Sequence, residues 1–314
     1  MQSAVFTISL DCELLWGSHY VGGEKRYPYL KHGFSEYYRG LLDLCERYKI
    51  SATFAFVGAI AMSAEEFNRK VAHIPVDSPY GNWLESISAA QIAAETESSW
   101  YARGIIDSIL ASKQKHEIAS HSFTHLRFNR IDAPEVAAFE LAASAVTLSK
   151  YCGARLKTFI FPENRLGHLK EFKSSPYFIY RGEDDTWYKN LPLQSFFHFI
   201  DQVLPIPPRP VTLATDEYGN TYVPGSILLF AYDGVRKLIP DWLRYLKVKN
   251  GIDRAIAEKK IFHLWFHPWN LGSSPRMLKL LERVFVYVDK CRAEGSLSVA
   301  TIGDLASISE STTE

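Results

Sequence analysis

Two histidines stand four apart in the stretch Glu117-Ile118-Ala119-Ser120-His121-Ser122-Phe123-Thr124-His125. The short apolar run Ile118-Ala119 predicts a strand that stops at polar residues, and one helical turn beyond it would project both imidazoles from the same face. Neutral imidazole is the commonest protein ligand for a divalent transition metal, and zinc takes it at about 2.0–2.1 Å. A catalytic centre needs a third protein ligand as well, often a carboxylate, and an open position for water. Two surface histidines on a polar turn would show the same spacing, so the two ends of the chain decide what the motif is worth.

At the amino-terminal end, Ala4 to Leu10 is a β-prone apolar run that delivers Asp11-Cys12-Glu13 at its carboxyl end. Strands have a period of two, so Asp11 and Glu13 face one way and Cys12 the other. Two carboxylates on one face are costly unless a cation or hydrogen bonds compensate. At the other end, Phe262-His263-Leu264-Trp265-Phe266-His267-Pro268-Trp269-Asn270 puts His263, Trp265 and His267 on one face. His267 falls where that strand ends, as a general acid beside a metal site or as a packed residue between tryptophans.

Strands that end at these residues must alternate with helices. Helical patterns are expected over about 35–48, 100–112, 132–151, 192–202, 238–258 and 275–294, and Ser63-x-x-Glu66 reads as a capping box. Buried-type strands are expected over 52–57, 157–161, 178–181, 226–231, 261–266 and 297–300. His73 to Trp83 reads as an inserted loop. Gly17 to Gly33 exceeds the roughly 12–15 residues of an ordinary loop, and with Trp16, His19, Tyr20, Tyr27 and Tyr29 it reads as a cleft wall. Such alternation predicts an α/β fold of parallel strands, a complete or incomplete (β/α) barrel, whose active site lies at the carboxyl ends of the strands. Asp11, Glu13, His121, His125, Asn164, Arg181 and His267 all fall there. A single domain is expected over 1–306, followed by a polar tail over 307–314.

Composition narrows the classes. The chain has 314 residues and is 47% hydrophobic, with 7 Trp, 17 Tyr and 19 Phe, which supports a large core and aromatic walls suited to sugars. Lys+Arg and Asp+Glu balance at 35 each, so no global field draws nucleic acid. Cys12, Cys45, Cys152 and Cys291 show no C-x-x-C spacing, which argues against a disulfide framework or a thiolate zinc site. No apolar run approaches the ~18–20 residues of a transmembrane segment, and cytoplasmic placement is the expectation. The oligomeric state is not readable.

Ser9-Leu10-Asp11-Cys12-Glu13, Ser120-His121-Ser122-Phe123-Thr124-His125, Phe161-Pro162-Glu163-Asn164-Arg165 and Trp265-Phe266-His267-Pro268 occur in the order of the motifs of a known group. In this the chain resembles the polysaccharide deacetylases, the NodB-homology group. The resemblance extends from about residue 4 to residue 306, and Ala52-Thr53-Phe54-Ala55-Phe56-Val57-Gly58 looks like that family's second strand. It implies a distorted (β/α) barrel of about seven parallel strands and metal-dependent removal of an N- or O-acetyl group. It implies that His121 and His125 bind a divalent ion, most simply Zn2+, that Asp11 is the catalytic base and that His267 is the general acid. The common pattern has two adjacent aspartates, and Cys12 stands at the second position. A branch with an acid-x-acid pattern selects Glu13 as the ligand instead, which the shared face with Asp11 favours.

Members of the family commonly orient the base with an arginine near the third motif. Here Arg165 follows Glu163 by two residues, and Arg181 is the alternative source of that charge. Trp16, Asn164, Arg165, Arg181 and Trp265 are the expected substrate-binding residues. The expected partner is an acetylated sugar or sugar conjugate. Two other readings stay open: a metal-dependent barrel enzyme of another class, and a non-catalytic carbohydrate-binding member of the same fold.

Overall fold

The computed structural model describes residues 3–26, 29, 34–93, 97–184, 186–188, 192 and 194–310. In chain order the elements are β1 (Ala4–Cys12), α1 (Gly23–Arg26), α2 (Phe34–Arg47), β2 (Thr53–Phe56), α3 (Ala64–Val71), α4 (Pro79–Ala93), α5 (Arg103–Leu110) and β3 (Glu117–Ser120). There follow α6 (Pro134–Cys152), β4 (Thr158–Ile160), α7 (Leu169–Lys173), β5 (Ile179–Gly182), α8 (Gln194–Val203), β6 (Ala214–Thr215), β7 (Thr221–Pro224) and β8 (Ile227–Leu228). The chain closes with α9 (Asp241–Glu258), β9 (Ile261–Phe266), α10 (Pro275–Ala293), β10 (Leu297–Val299) and α11 (Ile302–Glu310). All ten strands belong to one sheet, in the order β6-β7-β5-β4-β3-β2-β1-β9-β8, with β10 beside the start of β1. Among the strands of the described residues, only the β6–β7 pair is antiparallel.

β7 lies near one edge of this sheet and β8 forms the other, yet Gly225 and Ser226 alone separate them. The chain therefore crosses from one edge to the other within two residues and curls the sheet into a distorted, single-domain (β/α) barrel. The crossing is pinned by Ser226 N donating to His263 O at 2.8 Å and by His263 N donating to Ser226 Oγ at 3.1 Å.

Alternation along the strands sorts the core into two layers. Phe6, Ile8, Leu10 and Cys12 of β1 face outward into the large cluster packed under the helices. Val5 of the same strand faces inward, with Ala55, Ala119, Ile160, Ile179, Val223 and Ile261, as the apolar filling of the barrel. α11 closes the floor: Ile302 and Leu305 join that filling, Ile302 N donates to Thr53 Oγ1 and Gly303 N donates to Glu117 Oε2. Behind β4 and β5, Phe159, Phe161 and Tyr180 meet edge to face, with ring centroids 4.9 and 5.4 Å apart. Such pairs add roughly 0.5–1.5 kcal/mol each beyond the area they bury, and here they fix the two strands that carry Ile160 and Arg181.

Most expected elements form, and the Ser63–Glu66 capping box is present in full. Four local expectations need correction. Residues 73–83 are not loop throughout, because α4 starts at Pro79, where proline suits a first turn and Ser78 Oγ accepts from Gly81 N at 2.9 Å. The strand expected over 226–231 pairs only at Ile227 and Leu228, since the chain there is bending across the seam. The hairpin of β6 and β7 was not anticipated, although Asp216 Oδ1 accepts from Tyr218 N and Asn220 N, and Gly219 has φ +77. Of the polar tail expected over 307–314, residues up to Glu310 continue α11, and 311–314 lie outside the described residues, as does Tyr27 of the expected cleft wall.

Candidate active site

Above the apolar filling the interior of the barrel turns polar. Thr7, Ser9 and Asp11 rise along β1, His263 and Trp265 along β9, and Arg181 stands one residue before the end of β5. All are buried. The Arg181 guanidinium donates to both Asp11 oxygens at 2.7 Å, to Ser9 Oγ at 3.2 Å and, through Nε, to Asn164 Oδ1 at 3.1 Å. Its face stacks on the Trp265 ring at 4.0 Å. Below it, His263 Nδ1 donates to Pro224 O at 2.9 Å, which leaves Nε2 to accept from the Ser9 hydroxyl at 2.8 Å. Burial, with the Arg181 charge nearby, pushes His263 down to about 3, so this ring is neutral. Burial opposes the charge on Asp11, but the paired Arg181 guanidinium outweighs it and holds the carboxyl below its ordinary value.

Between β5 and β1 in the sheet, β3 ends at the histidine turn. His121 Nδ1 donates to Ile160 O at 2.8 Å, which leaves Nε2 3.3 Å from Glu13 Oε2. His125 Nε2 lies 2.6 Å from the same oxygen, and among the described residues neither of its ring nitrogens is assigned a hydrogen-bond partner. Glu13 stands just beyond β1, its carboxylate carried across Gly17. A Cβ at Gly17 would fall 2.1 Å from Glu13 Cδ, so glycine there makes room for the longer acid. Burial again opposes ionisation, and His125 with His267 outweighs it, so Glu13 is held far below its ordinary value.

One ligand atom from each of Glu13, His121 and His125 can be chosen so that all lie within 4.8 Å of one another. Orphaned imidazole nitrogens aimed at a buried carboxylate are what a divalent ion would satisfy, and the nitrogen–oxygen set suits zinc. These residues therefore fit a metal. His267 Nε2 lies 3.4 Å from Glu13 Oε1, and its ring stacks on Trp269 with centroids 5.1 Å apart. Its side chain is 23% exposed, so it faces the mouth rather than the core.

Not every expected residue sits at the mouth. Trp16 is fully buried, donates to Trp100 O at 2.7 Å and packs on Phe67 and Trp100, so it is a core residue and not a sugar platform. Arg165 is exposed, and the guanidinium that reaches Asp11 is that of Arg181. Asn164 lies behind the site, where it accepts from Arg181 and donates to Asp184. Cys12 points into the outer layer, away from Asp11 and Glu13.

Asp184 and Arg127 are not among the expected residues, whereas Tyr20 belongs to the expected cleft wall. Asp184 accepts from Trp265 Nε1 at 3.0 Å, and burial, only partly offset by Arg181, pushes it up to about 6. Tyr20 lies beside His125, donates to Glu163 at 2.7 Å and sits under the Arg127 guanidinium at 4.2 Å. Arg127 in turn pairs with Glu163 at 3.0 Å. Asp184 could have been suspected as the acid just past Arg181. Arg127 carried no signal, because its partner is distant in sequence.

A family profile described as "Polysaccharide deacetylase" matches residues 27–170, which include His121 and His125 but neither Asp11 nor His267. The family likeness is to the polysaccharide deacetylases. No curated protein matches the chain. Among solved structures, a candidate polysaccharide deacetylase from Mycobacterium smegmatis is similar with a TM-score of 0.62 at 12% identity, over 99% of this chain and 92% of that one. A second candidate polysaccharide deacetylase, from Pseudomonas aeruginosa PAO1, gives 0.59 at 13%, over 96% and 90%. PuuE allantoinase gives 0.60 at 12%, over 96% and 89%. At these identities the structures speak for the fold that the polysaccharide deacetylase likeness implies.

Proposed function

We propose that the chain is a metal-dependent hydrolase that removes the N-acetyl group of an acetamido sugar or a sugar conjugate. The observation that carries this reading is the arrangement at the barrel mouth. A carboxylate clamped ionised by Arg181 lies beside the Glu13, His121 and His125 cluster, with His267 facing the same space. Glu13, His121 and His125 would hold the divalent ion, most simply Zn2+. When bound, such an ion polarises an acetyl carbonyl and eases the deprotonation of water.

The chain's own residues do the rest. Asp11, kept as the anion by its two-pronged pair with Arg181, accepts the proton of the attacking water. Trp265 backs the guanidinium, and Ser9 with His263 fixes its lower edge, so the base is held in one position. His267, partly exposed at the mouth, donates a proton to the departing sugar nitrogen, which would otherwise leave poorly. Glu13 serves in place of the second aspartate of the common family pattern, with Gly17 providing the room. The reading of a non-catalytic sugar-binding protein draws no support from Cys12, which faces away from the cluster. Work in the cytoplasm would suit a soluble or carrier-linked precursor, and that placement is part of the proposal.

Acetate release from N-acetylated chito-oligosaccharides, with and without added Zn2+, tests the reading. Zinc-dependent release supports it; a lyase or isomerase product without acetate overturns it.

A further inference from the structure

The turn between the two histidines is strained. Ser122 has φ +65 and His125 has φ +62, a left-handed conformation that residues with a Cβ adopt only when their surroundings over-determine it. The carbonyls of the turn are held by backbone from the loop after β2: Gly58 N donates to Ser122 O at 2.8 Å and Ala59 N to Phe123 O at 3.0 Å. The amides are held differently. Phe123 N and Thr124 N both donate to Glu140 Oε2, at 2.8 and 2.9 Å. Thr124 Oγ1 donates to Glu140 Oε1 at 2.6 Å, and the Tyr80 hydroxyl donates to the same oxygen. Glu140 is fully buried on α6, and no cation pairs with it among the described residues.

We infer that Glu140 is a positioning residue for the metal-binding turn. Its carboxylate accepts two adjacent amides on one oxygen and two hydroxyls on the other. The demand that both amides point at one atom selects the strained turn, and the strained turn delivers His121 Nε2 and His125 Nε2 to the same Glu13 oxygen. The two histidines differ in how much they need this. Ile160 O fixes the His121 ring directly, whereas among the described residues no backbone carbonyl does the same for the His125 ring, so its aim comes from the backbone beneath it. The inference rests on the metal-binding reading above.

The test is a competition titration of Zn2+ against a chromophoric chelator, run on the full chain beside a thermal melt. Wild type should take up one ion, and Glu140→Ala should bind it about 10–100-fold more weakly, the range seen when supports of metal ligands are removed. Glu140→Gln should stay within a few-fold of wild type. Its amide oxygen keeps both turn amides, and its NH2 can donate to hydroxyls that rotate to accept. Tyr80→Phe removes a donor that comes from α4 and leaves both turn amides on Glu140, so it should lower the melting temperature and leave zinc affinity alone. A folded Glu140→Ala protein with wild-type affinity overturns the inference. So does a loss of affinity that merely tracks melting temperature across all three variants. Should Glu140→Ala fail to fold, Glu140→Asp keeps the charge but falls a methylene short of the amides; it should bind more weakly, and wild-type affinity in it overturns the inference equally. Failure of the wild type to bind Zn2+ overturns the metal reading itself, and this inference with it.

Discussion

At the floor of the barrel Glu117 is held by neutral donors alone, whereas at the mouth Asp11 pairs with a guanidinium and Glu13 faces imidazoles. Thr53 and Thr158 hydroxyls donate to Glu117 at 2.8 and 2.6 Å, and Gly303 N donates at 2.9 Å. Burial still wins there and pushes the Glu117 carboxyl up. Glu140, equally without a cation, is pushed up by burial in the same way. At the mouth burial loses, to Arg181 at Asp11 and to imidazoles at Glu13, and both acids are held down. Equal burial thus yields two kinds of carboxylate. Acids satisfied by neutral donors staple strands and turns together, and acids facing a guanidinium or imidazoles are held below their ordinary range, ready to accept a proton or hold a metal ion.

The comparison is sharpest if the mouth acids can be separated by what they lose. Asp11→Asn should cut kcat by about 10²–10⁴-fold, the usual contribution of a general base, while the zinc titration stays at wild-type affinity. Glu13→Ala should show the reverse order of damage, with affinity lost first. Cys12→Ser should change neither, because its side chain points into the outer layer; zinc lost in Cys12→Ser but kept in Glu13→Ala would break the comparison at its base.

His267→Ala should lower kcat on an acetamide by a comparable factor, about 10²–10⁴, with metal content unchanged. The loss should shrink on an aryl acetate, whose leaving group needs no proton. Equal losses on the two substrates would remove His267 from the role of acid.

A smaller effect is expected at Arg181. The Asp11 pKa is depressed in the folded protein, so its ionised form persists below the ordinary carboxylate range and is lost only as pH falls through that depressed value. Arg181→Lys keeps a charge but gives up the two-pronged pair. The burial penalty is then less fully opposed, and the acid limb of kcat/KM should move to higher pH. A limb that does not move would show that Asp11 is not the group it reports.

Much of this was legible from the sequence, and for identifiable reasons. Period two alone put Asp11 and Glu13 on one face and Cys12 on the other, and strand ends collected Arg181, His121 and His267. What stayed hidden depends on neighbours far along the chain. Trp16 looked like a cleft wall because a loop aromatic next to a motif gives no sign of the Phe67 and Trp100 that bury it. Glu140 looked like an ordinary helix acid, since the amides it serves lie on another element. The choice of Arg181 over Arg165 needed the register that sets Ile160 beside Arg181.

The smallest effect belongs to the floor. Glu117 has a folded pKa above its unfolded value, so the stability it adds is present at low pH and is lost as pH rises through the folded value. Glu117→Gln should flatten that part of the stability-versus-pH curve and leave kcat within about twofold, well below any catalytic loss. A large fall in kcat would mean that floor and mouth are not separable.

The central claim is tested most directly by stripping the protein with a chelator and returning Zn2+ in steps while acetate release from an acetamido sugar is followed. Activity should be absent at first, rise linearly and level off at one equivalent per chain, and it should not return in His125→Ala at the same additions. Acetate release that persists without metal, or that returns fully in His125→Ala, would contradict the account.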